Sequence, residues 1–241
     1  MQMLRTPALW LSVILVLCIH LFEMQRKEGV YIDEVFTLMV CSGTFDDSRA
    51  AVMEDGSQET GSQLRSRLLD LRGTGNRLVA LRNGTNDVMW TNLYYSLVQL
   101  TVGGKMLSSK ADVMGACRTL WLLNLFMLLL CMLIGWVMLR SVQMSSWLSA
   151  ITLLLMFGSP AISMSVLLAR GFMLAVLAVM CLSCVWIKLV SRCMEGQRVA
   201  WTGWLWFVLS MTFTMLTAYT NLVFIGLLLI VQVILSQKGS R

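Results

Sequence analysis

Long stretches without charged residues alternate with short charged connections along this chain. The stretches are residues 6–22, 119–139, 141–187 (in which Arg170 is the one charged residue) and 199–237. A helix needs about 20 residues to cross a membrane. The first two stretches therefore each fit one membrane-spanning helix, and the last two are each long enough for two.

Each of the two longest stretches contains a point where a helix is expected to break. Residues 158–160 read Gly-Ser-Pro, and proline cannot donate the backbone hydrogen bond that continues a helix. Residues 218–221 read Ala-Tyr-Thr-Asn near the middle of the other stretch. We therefore predict an all-α polytopic membrane protein with about six transmembrane helices, at residues 6–22, 119–139, 146–160, 171–188, 200–217 and 221–236.

The connection between the first two predicted spans, residues 23–118, is much longer than the others. Leucines at 64, 68 and 71 share one face of a possible helix over residues 62–72, with arginines on the opposite face. This helix is expected either on the membrane surface or within a soluble loop domain. Residues 93–102 predict a second helix, too short to cross comfortably, at the membrane interface.

Basic residues in the short connections predict the orientation, because cytoplasmic loops are enriched in Lys and Arg. With the N-terminus inside, the cytoplasmic connections carry Arg5, Arg140, Lys188, Arg192, Arg198, Lys238 and Arg241. Both termini are then cytoplasmic, and residues 23–118 form a long extracytoplasmic loop that carries juxtamembrane helices. Residues 1–241 are predicted to form a single membrane domain, in a bacterial inner membrane or the endoplasmic reticulum.

Composition supports the membrane class and excludes one class of partner. Hydrophobic residues make up 57% of the chain and charged residues 13%, whereas a soluble domain carries about 25% charge. The net charge of +6 is distributed among the connections and forms no basic stripe. We therefore expect membrane lipid as a partner and no nucleic acid.

Three charged residues are candidates for chemistry. Asp33 and Glu34 form an acidic pair just after the first predicted span, in a chain with few other chemical groups, so they are the first place to look for a reaction. The alternative is that they only favour the N-terminus of the next helix. Arg170 lies in an apolar stretch, where a charge is costly and indicates function by default, although its side chain could also extend to the interface. In the predicted topology, Arg170 and Asp33 lie on the same outer side.

The order of short motifs along the chain resembles a known family. Tyr31-Ile32-Asp33-Glu34 opens the outer loop, residues 86–95 read NDVMWTNLYY, Arg118 stands near the start of a helix, residues 169–174 read ARGFML, and residues 217–220 read TAYT. This series is similar to that of the GT-C membrane glycosyltransferases, particularly the protein-mannosyltransferase-like group, whose motifs include an aspartate–glutamate pair and a helix-opening arginine. The resemblance covers nearly the whole chain and rests on order and spacing.

That resemblance implies transfer of a sugar from a polyprenyl-phosphate donor to an acceptor on the extracytoplasmic face. It implies Asp33 as the catalytic base, and Glu34 as the residue that positions the acceptor or shares a divalent cation with Asp33. Arg170 would bind the donor phosphate, because a planar guanidinium fits phosphate oxygens. Asp87 and Tyr94 would shape the acceptor side, although a turn at Asn83-Gly84 explains Asp87 almost as well.

Two other functional classes remain open at the level of the sequence. A truncated or noncatalytic membrane subunit that partners a larger glycosyltransferase would explain the short chain. A transporter would need more polar residues within its spans, and no inverted repeat is evident.

Overall fold

The computed structural model describes residues 6–42, 69–72, 92–218 and 220–239. These residues are almost entirely helical and contain no strand beyond one isolated pairing of Asp70 with Met106. In chain order the helices are α1 (Pro7–Arg26), α2 (Ile32–Ser42), α3 (Asn92–Val102), α4 (Lys110–Ser141), α5 (Ser146–Phe157), α6 (Pro160–Leu167), α7 (Phe172–Met194), α8 (Trp201–Met215) and α9 (Asn221–Gly239). The all-α prediction is confirmed for this part of the chain.

Three helices of the described part are long and apolar enough to cross a membrane: α1, α4 and α7. Helices α5 and α6 would make a fourth crossing if the bent pair counts as one. Helix α8, with 15 residues, is shorter than the roughly 20 that a straight crossing needs. The coarse description, a helical protein with three to four candidate membrane spans, therefore agrees with the sequence.

Helix α4 is longer than the predicted span because its N-terminus is capped far upstream. The Ser109 side chain accepts a hydrogen bond from the Asp112 backbone, and the Asp112 side chain accepts one from the Ser109 backbone. This capping box satisfies two backbone donors that a helix start otherwise leaves open. Arg118 consequently lies inside α4, and the expectation that it opens a helix is wrong.

The predicted break at residues 158–160 is confirmed, but the chain does not leave the helical region there. Helix α5 ends at Phe157, and α6 begins at Pro160 at an angle of 59° to it. The break frees carbonyl groups at the end of α5. The buried imidazole of His20 in α1 contacts one of them, with Nε2 2.9 Å from the Phe157 oxygen.

Contacts between the helices fix their directions. Asn124 bonds to the chain just before α7, and further along both helices Gly135 faces Met180, so α4 and α7 run parallel. Helix α8 runs antiparallel to α7, because Gly203 faces Leu189 and Thr214 donates to the Ala178 carbonyl.

The bundle therefore has two ends. We call the end with Lys27, Glu34 and Arg170 the site end. There, Glu34 accepts hydrogen bonds from Lys27 and from the amide of Ala169, the residue before Arg170. The opposite end contains the end of α4, the end of α7 and the start of α8. We call it the basic end after Arg140, Lys188, Arg192 and Arg198.

Two short segments of the predicted outer loop pack on the site end. Helix α3 confirms the helix predicted at residues 93–102 and buries Tyr95, Val98 and Val102. Residues 69–72, predicted as the end of a helix over 62–72, are instead extended: the Leu71 amide donates to the Lys105 carbonyl at 2.8 Å, and the Leu107 amide to the Leu69 carbonyl at 3.1 Å. Residues 62–68 lie outside the described part.

Candidate functional site

The first turn of α2 presents Asp33 and Glu34 in different directions. The Asp33 side chain is 56% exposed, whereas the Glu34 side chain is fully buried. Consecutive residues of a helix are rotated by about 100° around its axis, so one carboxylate faces outward when the next faces the core. The acidic pair therefore consists of two groups in different environments.

The buried Glu34 carboxylate is surrounded by four hydrogen-bond donors from three segments. Its Oε2 accepts from Lys27 Nζ and from the Tyr31 amide, both at 2.8 Å. Its Oε1 accepts from Trp121 Nε1 at 2.6 Å and from the Ala169 amide at 3.1 Å. This carboxylate connects the α1–α2 link, α4 and the link between α6 and α7.

Lys27 supplies the compensating charge. Its ammonium group also donates to the Leu167 carbonyl at 2.5 Å and lies over the rings of Tyr31 and Trp121, at 4.5 and 4.2 Å from their centroids. Burial lowers the pKa of Lys27, and its hydrogen bond to Glu34 partly offsets that effect. A buried charge is tolerated when it is paired and hydrogen-bonded, as both members of this pair are.

Arg170 and Asp33 are 137 positions apart in the chain but lie next to each other in the structure. Arg170 Nη2 donates to Asp33 Oδ1 at 3.2 Å, and the guanidinium lies 5.3 Å from the centre of the Phe36 ring. The Arg170 side chain is 15% exposed. A guanidinium and a partly exposed carboxylate thus lie side by side at the site end.

The backbone that carries Arg170 is held by neighbouring buried groups. Asn124 Nδ2 donates to the Val166 carbonyl at 3.1 Å and to the Leu168 carbonyl at 2.7 Å. The next residue, Ala169, donates its amide to Glu34. The position of Arg170 is therefore fixed from both α2 and α4.

Three residues of this arrangement were not among the sequence candidates: Lys27, Trp121 and Asn124. Asn124 gave a signal, since it is a polar residue in an apolar stretch. Lys27 resembles an ordinary basic residue flanking a membrane helix. Trp121 resembles an apolar or interfacial tryptophan, so no pattern in the sequence indicates its contact with Glu34.

Tyr94 lies inside the fold, and Asp87 lies outside the described residues. Tyr94 is 1% exposed, and its hydroxyl has no hydrogen-bond partner within the described ranges. Burial is the main cause that raises the pKa of Tyr94 well above its ordinary value. Its position therefore does not favour the predicted contact with an acceptor. Cys41 and Cys117 are both buried free thiols.

The geometry gives Glu34 a structural role and does not favour the predicted one. Both of its oxygens already accept two hydrogen bonds, and none of its surface faces solvent. The described residues contain no group of three or more Asp, Glu, His and Cys side chains that could hold a metal ion. A divalent cation shared by Asp33 and Glu34 does not fit this arrangement, because each Glu34 oxygen already accepts two hydrogen bonds.

An apolar cavity of about 340 Å³ lies between α5, α6, α7 and the start of α9. Phe172, two residues beyond Arg170, lines it together with Met156, Val176 and Ala218, and the polar groups of Ser165 and Asn221 are also on its wall. The cavity therefore lies beside the first turns of α7, and the Arg170 side chain is not part of its lining.

No protein-family model matches this chain, and no curated protein or solved structure matches it either.

Proposed function

We propose that the protein is a membrane glycosyltransferase that moves a sugar from a polyprenyl-phosphate donor to an acceptor hydroxyl, with Asp33 as base and Arg170 as the phosphate-binding group. The observation that carries the proposal is the 3.2 Å contact between these two side chains. The family resemblance implies one of the two roles in this reaction for each of them. A shared location is what a base and a leaving-group cation require.

Asp33 acts on the acceptor hydroxyl, and Arg170 acts on the departing phosphate. The acceptor oxygen attacks the anomeric carbon, its proton passes to the Asp33 carboxylate, and the bond from that carbon to the phosphate oxygen breaks with its electrons remaining on the phosphate. Arg170 stabilises the charge that grows on the phosphate. Before the donor binds, Asp33 occupies the guanidinium. The arriving phosphate competes for it and frees the carboxylate to act as base.

The apolar cavity supports a lipid-linked donor. Its wall includes Phe172, close in the chain to Arg170, and its other lining is mostly aliphatic. An isoprenoid chain would lie there with its phosphate toward the guanidinium. A soluble sugar nucleotide would leave this apolar surface unused.

We propose a topology of about six crossings with both termini and the basic end in the cytoplasm. The parallel directions of α4 and α7 and the opposite direction of α8 support it, as do Arg140, Lys188, Arg192 and Arg198 at the basic end. The site end, with residues 23–118, then lies on the extracytoplasmic side of a bacterial inner membrane or the endoplasmic reticulum.

A noncatalytic membrane subunit is the second candidate. The observation that favours it is the exposed apolar surface of α8, on which Trp201 and Trp206 are 72% and 62% exposed and the buried residues are Ser210 and Thr214. A partner subunit would cover that surface. The Asp33–Arg170 pair would then only tie α2 to the link before α7.

The test measures transfer from radiolabelled polyprenyl-phosphate sugars in membranes that contain the protein. Asp33→Asn keeps a hydrogen bond to Arg170 but removes the base, so we expect transfer to fall by about 100-fold or more. Arg170→Ala should cause a comparable loss. Glu28→Gln and Arg26→Ala are the matched controls, since they remove like charges from exposed positions at the same end, and they should retain activity.

Thermal unfolding of each purified variant separates catalysis from folding. Activity lost in a stably folded Asp33→Asn variant supports the proposal. Undiminished transfer in that variant removes Asp33 from the mechanism, and absence of transfer in the folded wild-type chain favours the subunit.

A further inference from the structure

We propose that the crevice between the end of α7 and the start of α8 binds the headgroup of an anionic phospholipid. This site lies at the basic end, away from the Asp33–Arg170 pair, and does not depend on the proposed glycosyltransferase activity. It is a cavity of about 360 Å³ lined by Val185, Lys188, Leu189, Arg192, Gly203 and Trp206, with Thr202 at the same wall.

Two cations on one helix face give the crevice its charge. Lys188 and Arg192 are four residues apart on α7 and therefore neighbours on its surface. Neither forms an ion pair within the described ranges. The acidic residue closest in sequence, Glu195, accepts a hydrogen bond from Gln197 at 2.8 Å. Two adjacent like charges repel each other, and a bound phosphate removes that repulsion.

The remaining walls are apolar. Leu189 is buried, and Trp206 is 62% exposed beside the cavity. Gly203 keeps the two helices close: a Cβ atom at this position would meet Leu189 Cδ2 at 3.1 Å and Val199 Cγ1 at 3.0 Å. The Thr202 hydroxyl adds a polar group that can donate to a phosphate oxygen.

The surroundings favour a membrane phospholipid over a soluble anion. From the crevice, α8 continues with Leu205 and Leu209 exposed, so an acyl chain attached to the bound headgroup can lie along this surface. Tryptophan beside basic residues is typical of the headgroup level of a membrane. Basic pockets between transmembrane helices on the cytoplasmic side recognise anionic headgroups.

The experiment measures lipid binding to the purified full-length protein in detergent by native mass spectrometry. The probes are phosphatidylglycerol and phosphatidylcholine with the same acyl chains. We expect a one-to-one complex with phosphatidylglycerol. Lys188→Gln and Arg192→Gln should each weaken it roughly fivefold, and the double variant roughly 30-fold.

Arg198→Gln is the matched control, because it removes one exposed positive charge at the same end but outside the cavity lining. It should leave affinity within about twofold of the wild type. An equal loss in this variant, or equal binding of phosphatidylcholine, would overturn the proposal. Competition by inorganic phosphate alone, at concentrations equal to those of the lipid, would identify a site for free anions and also overturn the assignment to a lipid.

Discussion

Asp33 and Glu34 are neighbours in the chain, but helix α2 turns one carboxylate outward and the other into the core. Glu34 meets Trp121 and Ala169, and Asp33 meets Arg170. The sequence predicts that an acidic pair follows the first helix, and that Arg170 is on the same side. It does not predict which member is buried, because that depends on donors that are distant in sequence.

The buried pair of Glu34 and Lys27 leads to a prediction about stability. Glu34→Gln should destabilise the protein by about 3–5 kcal/mol, because the Lys27 charge stays buried without its counter-charge. Lys27→Met should be similarly harmful, since it leaves the Glu34 charge uncompensated. The double variant Lys27→Met/Glu34→Gln should be more stable than either single variant, because no unpaired charge remains and glutamine still offers an acceptor.

Thermal unfolding in detergent measures this difference. Additive losses in the double variant would contradict the pairing of the two charges. Glu28→Gln serves as the control for removing an exposed carboxylate from the same link.

Among the helices, glycine and proline residues predict where a helix breaks better than the apolar runs predict where a helix ends. Gly158-Ser159-Pro160 correctly separated α5 from the following helix, because proline and the residue before it disfavour helix continuation. The short α6 was missed, since the apolar run alone does not show that the chain turns by 59° and resumes a helix. Leu71 was assigned to a helix by its spacing, but pairing with residues 105–107 determines its extended conformation.

Packing around α4 leads to a prediction about two glycines in that helix. A Cβ atom on Gly135 would lie 2.9 Å from Leu153 Cδ2 and 3.3 Å from Met180 Cε, whereas one on Gly115 would meet nothing within 4 Å. Gly135→Leu should therefore destabilise the protein by about 1–3 kcal/mol through overpacking. Gly115→Ala should be neutral or stabilise it by up to about 1 kcal/mol, because alanine favours a helix.

Unfolding midpoints of the two variants, compared with wild type, test this contrast. A Gly135→Leu variant as stable as wild type would mean that α5 and α7 do not approach α4 as closely as described.

For the whole molecule, most of the architecture follows from the charge pattern, and most of the site does not. Runs of apolar residues predict α1 and α7 to within several residues at both ends, whereas the capping box starts α4 well before its predicted span. Contacts such as that of Asn124 with Leu168 come from packing between helices. A single sequence records which residues are polar but not which helix each one faces.

The proposed orientation predicts different labelling of the two ends in intact cells. Cys193 is exposed at the basic end, so a membrane-impermeant maleimide should not reach it until the membrane is permeabilised. A cysteine introduced by Gly29→Cys, at an exposed position in the link after α1, should react from outside in a Cys193→Ser background. Labelling of Cys193 in intact cells would show that the orientation is opposite to the proposed one.

The four-way coordination of Glu34 also has a consequence for the order in which the protein assembles during synthesis. Chains are made from the N-terminus at about 5–20 residues per second, so Lys27 and Tyr31 are already present when Glu34 emerges. Trp121 follows 87 residues later and Ala169 135 residues later. Until then, the Glu34 carboxylate has only the partners of its own link. Glu34 can therefore be fully buried only after α4 and the segment after α6 have been synthesised. A nascent chain that stops before residue 169 leaves the Glu34 carboxylate without its hydrogen bond from Ala169.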